Sequence, residues 1–580
     1  MIANVLALLL LGPVTVNVNA KDGELISGER TFRVTVQADN PVTQVEFYVG
    51  DDLRETDTST PYEFKLTALD ESDGDLKLTF AAYTSEGESA KKALKVKVDN
   101  GISKGAEFHI ERGKTLLSDG KWDDAIMAGR VALKAQPSSV GAKMLLARAY
   151  FAKGVYDQAQ KFAEDVAAAE PNNLDAMDLV GGINLQRAFT TFNRGGEKKE
   201  TIEVIRGALK IAAENRRKTL EAQLDQVGAP TDENRLRYAD AAIRAMRFSS
   251  AANALQAAFQ KDPANNAVSN RLAYAQLRSG RIADAKLTLG STKRRGALDA
   301  YGNALAAVIE ASEGNDSASE EALKEAILSD SEDMGVRTAQ VYVALKQGKL
   351  NAMKDLANGL ARDAGSRSEV NYYLATVLNA TQQYSDSQKR FEMAVLSDPA
   401  NYPMYIERAN QALALVSSQR VTDKDTVAYQ FLVASAFFEA ALAAKPDSPE
   451  ALTGMAIASL LQARPADSVR YAKSATAAGP TYAAGFYVYA CVSSLMQDEL
   501  LAKASKIRTD ARGNLDAEQK AEIAKYENES KNFRSEVQKA REKAEVLDKN
   551  NLSGRPVPVA LDAFTYYYRH GRLPVLTAPK

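Results

Sequence analysis

Hydrophobic and polar residues alternate along this chain with two different periods, and the change of period divides the sequence into two parts. Between positions 13 and 98 the period is two, as in Val14, Val16 and Val18, which are separated by single polar residues. Such alternation puts every second side chain on the same face of a β-strand, so it predicts strands with one buried face. From Ser103 onward hydrophobic residues recur at spacings of three and four, which predicts amphipathic α-helices.

Six hydrophobic segments of the first part are separated by turn-forming residues. The segments are Val14–Val18, Phe32–Val36, Val45–Val49, Phe64–Leu66, Leu76–Phe80 and Leu94–Val98. The turn clusters are Lys21–Gly23, Asp39–Pro41, Gly50–Asp52, Asp73–Asp75 and Ser85–Gly87. Short strands with turns about every 8–12 residues are typical of an antiparallel β-sandwich, here of about six or seven strands.

The helical part repeats with a step of 34 residues. This step separates Gly120 from Gly154 and returns between Gly280, Gly314 and Gly348. Repeats of this size are helical hairpins that stack along one axis, because one hairpin cannot bury its hydrophobic face alone. The pattern predicts about eleven such hairpins.

The residues within each step resemble the tetratricopeptide repeat. Gly113, Trp122, Ala125, Ala132 and Pro137 occupy that family's small, aromatic, small, small and proline positions. Later units repeat the match with Ala147, Tyr150, Tyr156, Ala159, Ala163 and Pro171, with Ala239, Phe248, Ala251, Ala258 and Pro263, with Ala375, Leu378, Tyr384, Phe391, Ala394 and Pro399, and with Ala456, Ala472, Ala475 and Pro480. The resemblance implies a superhelical solenoid whose concave surface binds extended peptides or partner helices.

The β part resembles the bacterial immunoglobulin-like domains of exported proteins. The resemblance rests on the string Val45–Asp51, followed by Thr56–Thr58 and by Pro61–Phe64. It implies a spacer or adhesive module in an exported protein. Since the cysteine pair and buried tryptophan of antibody domains are missing here, the core of this sandwich must rest on aliphatic and aromatic packing.

These patterns predict a multidomain chain, with a small all-β Ig-like sandwich followed by a long all-α TPR superhelical solenoid. The predicted segments are a signal-like apolar stretch at 1–12, the sandwich at 13–99, helical repeats at 103–480, a long charged helical hairpin at 481–550, and a C-terminal tail or cap at 551–580. Within the repeats, surplus residues predict an extended hairpin near 172–229 and a loop insertion near 416–426.

The first residues favour export. Ile2–Gly12 is almost wholly apolar, which is too short to span a bilayer and suits the hydrophobic region of a secretion signal. No Lys or Arg precedes it, and Pro13 disfavours cleavage directly after Gly12, so the true start and cleavage site stay open. We expect an extracytoplasmic protein, located in the periplasm or cell envelope or secreted.

Composition narrows the classes of partner. The chain has 73 Lys and Arg against 75 Asp and Glu, and a formal net charge of −2, so we expect no nucleic-acid partner. Its single cysteine, Cys491, rules out an intramolecular disulfide. We also expect no small-molecule substrate. Other proteins are the predicted partners, with an association with the cell wall or envelope as a further option.

Residues that could carry catalysis are few. The only histidines, His109 and His570, lie in different regions, which argues against a histidine metal site or a catalytic triad. Gly113-Lys114-Thr115 resembles the end of a phosphate loop, but Phe108 stands where that loop needs another glycine. We therefore predict no enzyme activity, no cofactor and no catalytic residue.

One acidic turn has two interpretations. Asp70, Glu71, Asp73 and Asp75 are close enough in sequence to offer several carboxylate oxygens to calcium. Their spacing does not fit the twelve-residue helix–loop–helix calcium loop, so a solvated acidic turn without metal is the preferred interpretation.

The repeat register nominates residues for the concave groove. They are Lys114, Arg148, Asp240, Tyr274, Thr376 and Asn410. The family's carboxylate clamp needs Lys and Asn at positions where this chain has Ile110 and Lys114, so that activity is not transferred. The leading hypothesis is a non-enzymatic scaffold of the cell envelope that binds partner peptides or helices in this groove. The alternative is a surface adhesion or glycan-binding protein that uses the Ig-like domain, with the helices as a spacer.

Overall fold

The computed structural model describes residues 14–548, apart from 196–197, 365–366, 418–419 and 421. The signal-like stretch, the C-terminal tail and His570 lie outside the described residues, as does part of the predicted loop insertion. The chain forms two compact units, with the boundary between Leu179 and Val180.

Eight strands form the β module of the first unit. They are β1 (Thr15–Val18), β2 (Leu25–Ile26), β3 (Glu29–Gln37), β4 (Val42–Val49), β5 (Asp52–Asp57), β6 (Tyr62–Thr67), β7 (Gly74–Thr84) and β8 (Ser89–Val98). One sheet has the order β1-β3-β6 and the other β2-β8-β7-β4-β5. All pairs are antiparallel except β2 with β8. This arrangement confirms the predicted sandwich.

Four phenylalanines form the centre of the sandwich. Phe32 on β3 and Phe64 on β6 come from one sheet, and Phe47 on β4 and Phe80 on β7 come from the other. Their ring centroids lie 5.0 to 6.0 Å apart, and each residue is at most 1% exposed. Aromatic packing thus provides the core that a disulfide and a tryptophan provide in antibody domains.

The hydrophobic pattern alone does not predict β5. Five of its six residues are exposed, and it pairs only with β4, at the edge of the five-stranded sheet. A strand that buries neither face has no reason to alternate hydrophobic and polar residues, so periodicity cannot reveal it.

Within the described part of the chain, 22 helices follow the sandwich, as eleven antiparallel pairs. They are α1 (Ala106–Ser118), α2 (Trp122–Ala135), α3 (Val140–Lys153), α4 (Tyr156–Ala169), α5 (Leu174–Gly195), α6 (Lys199–Val227), α7 (Arg235–Arg244), α8 (Phe248–Lys261), α9 (Asn266–Arg278), α10 (Ile282–Arg295), α11 (Ala300–Ser312), α12 (Asp316–Ser329), α13 (Met334–Lys346), α14 (Leu350–Ala364), α15 (Ser368–Ala380), α16 (Tyr384–Ser397), α17 (Tyr402–Ser417), α18 (Lys424–Ala444), α19 (Pro449–Leu461), α20 (Pro465–Ala478), α21 (Ala483–Asp510) and α22 (Ala517–Leu547). This succession of hairpins confirms the predicted solenoid.

The periodic glycines lie in the turns within the hairpins. Gly120, Gly154, Gly280, Gly314 and Gly348 have φ between 68° and 81°, a conformation that costs glycine little because it has no Cβ. Equivalent turns place Met246, Gln382 and Ala463 at φ 57°, 63° and 56°. Met246 and Gln382 continue the 34-residue step on either side of the glycines, although neither residue reveals it by type.

Small residues allow neighbouring helices to approach closely. The alanines of the repeat pattern, such as Ala125, Ala132 and Ala159, are completely buried. A Cβ on Gly335 would overlap the ring of Tyr301, and one on Gly454 would overlap the ring of Phe438. Packing at this density explains why the pattern requires small side chains.

Two hairpins have long helices. In the region of the predicted extended hairpin, α5 has 22 residues and α6 has 29. In the region of the predicted charged hairpin, α21 and α22 have 28 and 31 residues. Asp516 caps α22 through a capping box with Gln519.

Within the second unit, helices distant in sequence contact one another. Arg217 on α6 donates a hydrogen bond from Nε to the carbonyl oxygen of Ala443 at the end of α18, at 2.9 Å. Nearby, Arg216 forms an ion pair with Asp398 at 3.4 Å. One continuous hydrophobic cluster runs from Leu185 to Ala540. The second unit therefore does not extend as a simple rod, since an early hairpin packs against a late one.

Candidate binding site

The structure places the two predicted groove residues of the first unit on its surface. Lys114 on α1 is exposed and forms an ion pair with Glu111 at 2.5 Å. Arg148 on α3 is exposed and forms an ion pair with Asp175 at 3.1 Å. Both side chains are thus accessible to solvent, and each forms an ion pair with an acidic residue of the first unit.

The four predicted groove residues of the second unit are in a different environment. Asp240 accepts two hydrogen bonds from Arg271, at 2.7 and 3.1 Å. Tyr274, Thr376 and Asn410 are 3%, 6% and 0% exposed. In the described structure neither the amide nitrogen nor the amide oxygen of the Asn410 side chain has a hydrogen-bond partner.

Three of the four residues that the register nominates for the concave groove in the second unit are therefore buried. Tyr274, Thr376 and Asn410 lie on the first helices of their hairpins, as the register predicts, but inside the packed unit. The physical reason is that large aromatic side chains fill the inner faces: Tyr373, Tyr402 and Tyr405 are each at most 2% exposed. The repeat register predicts which side of each first helix faces inward. It does not predict whether that side contacts solvent or other helices.

Arg278 is central to this interior. It ends α9, is 7% exposed, and donates hydrogen bonds from Nη1 to the Tyr274 hydroxyl at 2.9 Å and from Nη2 to the Tyr402 hydroxyl at 3.0 Å. Its guanidinium carbon lies 4.8 Å from the ring centroid of Phe248, and 5.8 and 5.6 Å from those of the two tyrosines. Aromatic faces stabilise a cation held over them.

The phenols around Arg278 are neutral at ordinary pH. Burial raises the pKa of Tyr274 and of Tyr402, since a charged phenolate would lose its hydration. Among the described residues Nε of Arg278 has no hydrogen-bond partner, and no carboxylate forms an ion pair with this side chain. A permanently charged group is thus held inside the protein by neutral partners alone.

A cavity of about 950 Å³ lies beside Arg278. Its walls come from the starts of α8, α10, α19 and α21 and from the ends of α9, α11, α13, α20 and α22. The charged residues that line it are Arg247, Arg278, Glu313, Lys346, Lys445, Asp447 and Asp548. The cavity therefore combines polar, charged and aromatic groups in the way ligand sites do.

The other charged groups of the wall mostly have partners of opposite sign. Lys445 is 9% exposed and contacts Asp447 at 2.7 Å. Glu313 pairs with Lys286 at 2.7 Å, and Arg247 forms an ion pair with Glu221. Arg278 differs from them because no carboxylate of the described residues is paired with its positive charge.

No sequence motif singles out Arg278. It lies four residues after the predicted groove residue Tyr274, on the same face of α9, so the helical period could have nominated it. Its contact with Tyr402 joins residues 124 positions apart, and spacing within a repeat cannot reveal such a contact.

The carboxylates of the acidic turn have separate partners. Glu71 pairs with Arg54 at 3.0 Å and Asp75 with Lys95 at 2.8 Å, and Asp70 lies 3.8 Å from Arg130. The remaining carboxylate, on Asp73, accepts hydrogen bonds from the backbone and side chain of Asn100 at 3.0 and 2.9 Å. Within residues 14–548, gaps excepted, no three potential metal ligands of the His, Cys, Asp or Glu type come together.

His109 joins the sandwich linker to the first helix. It is 2% exposed, and its Nε2 lies 2.7 Å from the carbonyl oxygen of Gly101, which follows the last strand. Lys134 on α2 donates a hydrogen bond to the Glu71 carbonyl oxygen at 2.7 Å. Both contacts join the β module to the first helical hairpin.

One helix among the described residues, α18, is long and apolar enough to cross a membrane by length and composition alone. Its Phe437 and Phe438 are completely buried, and Phe437 packs edge-to-face on Phe391 at 5.3 Å. These contacts account for its apolar character by packing within the unit.

Both parts of the chain match known protein families. Residues 13–80 match the bacterial Ig domain, and residues 116–180 and 235–309 match the tetratricopeptide repeat. Fibronectin(III)-like modules of Clostridium thermocellum CbhA are 30% identical over 15% of this chain and 97% of that chain, with a TM-score of 0.14. A search of curated proteins finds no match.

Solved helical-repeat structures align over more of the chain. Cut9-Hcn1, an APC/C hetero-tetramer, is 10% identical over 79% of this chain and 96% of that chain, with a TM-score of 0.38. Yeast Tom70 is 13% identical over 64% and 91%, with a TM-score of 0.28. Tetratricopeptide repeats support a role in protein–protein interaction, and such scaffold folds are typically non-catalytic. The chain therefore carries a bacterial Ig domain at residues 13–80, followed by tetratricopeptide repeats at residues 116–180 and 235–309.

Proposed function

We propose that this protein is a non-enzymatic scaffold outside the cytoplasm, where its helical hairpins bind other proteins of the cell envelope. The observation that carries this proposal is the succession of eleven helical hairpins in the described residues, with Lys114 and Arg148 exposed on the first helices of two of them. Stacked hairpins offer extended surfaces that can bind peptides or helices. In such a stack the side chains that could take part in catalysis lie far apart from one another.

Export is supported by two features of the N-terminal side. Bacterial Ig-like domains are frequent in extracellular proteins, and one occupies residues 13–80. The apolar stretch Ile2–Gly12 before it has the length of a signal sequence's hydrophobic region. Protease treatment of cells whose outer membrane, where one is present, has been permeabilised tests this part, because an exported chain is digested while a cytoplasmic marker survives.

A capture experiment tests the groove. The full chain, carrying an affinity tag, is incubated with envelope extract beside a double variant, Lys114→Glu with Arg148→Glu. Lys161→Glu, an exposed change on the second helix α4, is the matched control. We expect the double variant to lose proteins that the wild type and the control retain. Equal recovery by all three would contradict binding at this surface.

An adhesive role of the Ig domain is the second candidate. Leu25 on β2 and Leu53 on β5 are 62% and 52% exposed, which leaves hydrophobic contacts available on the five-stranded sheet. Binding of the full chain to glycan arrays or purified cell wall, lost in a Leu25→Asp, Leu53→Asp variant, would favour this candidate. Retention by that variant would count against it.

A further inference from the structure

Arg278 has bonding capacity that its surroundings do not use. A guanidinium carries five N–H donors, and the two phenols accept one hydrogen bond from Nη1 and one from Nη2. Nε is buried without a partner in the described structure. The aromatic rings of Phe248, Tyr274 and Tyr402 hold the group in place but bring no negative charge.

A buried charge without a counter-ion is unfavourable, so its presence requires a reason. Purely structural packing could use a hydrophobic side chain of similar size at this position. Arg278 instead forms part of the wall of the 950 Å³ cavity, where an anion could approach it.

The same wall offers further donors. Ser249 and Ser250 line the cavity from the first turn of α8, where backbone N–H groups have no acceptor inside their own helix. Lys346 and Lys445 also line it. These groups favour a ligand that carries oxygen acceptors and negative charge.

We propose that this cavity binds a carboxylate of a partner peptide and that Arg278 is its principal anchor. This proposal rests on the proposed scaffold function and names the chemistry of one of its ligands. A carboxylate fits because its planar pair of oxygens matches the guanidinium fork, and because the cavity has room for several residues of an extended peptide.

The test is calorimetric titration of the full chain with three hexapeptide probes. One is hexaglutamate with blocked ends, one is hexaglutamine with a free C-terminal carboxylate, and one is hexaglutamine with blocked ends. Binding of the first identifies a side-chain carboxylate, and binding of the second a terminal carboxylate. Failure of both to bind better than the third would overturn the proposal.

Variants locate the binding. We expect Arg278→Met to weaken binding of the carboxylate probe about 10-fold or more, as loss of a charge-assisted hydrogen bond implies. The matched control is Arg281→Met, which removes an arginine from the same turn that pairs with Asp284 at 2.7 Å outside the cavity wall. Equal affinity of Arg278→Met and wild type would overturn the assignment.

Two further measurements separate a binding role from a structural one. Ser249→Trp fills the cavity from α8, where Ser249 is exposed, without removing Arg278, and should weaken binding as well. Hydrogen exchange of α9 and α17 should rise in Arg278→Met, because the buried hydroxyls of Tyr274 and Tyr402 lose this donor, and should stay unchanged in Ser249→Trp, which keeps both bonds. Increased exchange together with unchanged probe affinity would make Arg278 a structural residue and overturn the proposal.

The outcome is distinguishable from failure of the scaffold function itself. If Arg278→Met captures the same envelope proteins as wild type and also binds the probe equally, the cavity proposal fails while the scaffold stands. If no variant captures any protein but the carboxylate probe binds through Arg278, the cavity site stands and the scaffold proposal fails.

Discussion

Arg278 and Tyr402 lie 124 residues apart in sequence, and a hydrogen bond of 3.0 Å joins the Nη2 of one to the hydroxyl of the other. This bond links the end of α9 to the start of α17 inside the second unit. It stabilises a contact between hairpins that are far apart along the chain.

Tyr402→Phe should therefore destabilise the second unit. The change removes the acceptor of a buried Nη2–H group, and an unsatisfied buried donor costs about 1–3 kcal/mol. Tyr384→Phe is the control, because Tyr384 is 48% exposed and its hydroxyl contact with Arg420 lies at the surface. Hydrogen exchange of α9 and α17 measures the effect, and equal exchange in the two variants would contradict it.

Arg217 should hold α6 against α18. Its Nε donates to the Ala443 carbonyl oxygen, and its side chain is 20% exposed. Arg217→Ala should increase amide exchange at the end of α18, where Ala443 lies. Lys218→Ala, next in sequence, removes a side chain that is 46% exposed and pairs with Glu214 on its own helix, so it should leave α18 unchanged.

Replacing Gly454 and Gly207 by alanine should change the stability of the protein in opposite directions. Gly454→Ala places a Cβ against the buried Phe438 ring, and overpacking of this kind costs about 1–3 kcal/mol. Gly207 is exposed in α6, and no other part of the protein lies within 4 Å of the position that a Cβ would take, so Gly207→Ala should stabilise its helix by about 0.5–1 kcal/mol. Calorimetric unfolding temperatures should fall for the first and rise for the second. An unchanged or raised temperature for Gly454→Ala would contradict the packing described for α18 and α19, and a fall for Gly207→Ala would contradict the open space beside α6.

Ala463→Gly should stabilise the turn between α19 and α20. Ala463 has φ 56°, where a side chain is strained by about 1–2 kcal/mol and glycine is not. Ala502→Gly, at an exposed position inside α21, should instead destabilise by about 1 kcal/mol through lost helix propensity. If Ala463→Gly lowered the unfolding temperature as Ala502→Gly does, the turn at Ala463 would not be strained.

The sequence predicts the elements of this fold better than their long-range contacts. Glycines such as Gly280 and Gly314 reveal the turns because a left-handed backbone favours that residue type. Met246 and Gln382 adopt the same conformation with side chains that give no such signal. The hydrophobic pattern also does not predict the edge strand β5, because five of its six residues are exposed and its sequence therefore need not alternate.

The candidate site is predictable only in part. Helical register correctly assigns Tyr274 and Asn410 to first helices, but their burial depends on hairpins distant in sequence. The cavity beside Arg278 is formed by the ends of nine different helices, so no local pattern encodes it. Lys114 and Arg148 are exposed because no other element in the described part of the first unit packs over those positions of α1 and α3.

Site-specific photo-crosslinking in living cells shows whether proteins bind to the hairpin surfaces. A photoreactive phenylalanine analogue replaces Arg148 on α3 or Ser249 at the cavity, with Leu328, 77% exposed on α12, as the control position. We expect discrete protein adducts from Arg148 or Ser249 and none of them from Leu328. The same adducts in equal yield at all three positions, or no adducts at Arg148 and Ser249, would contradict binding of proteins at the hairpin surfaces.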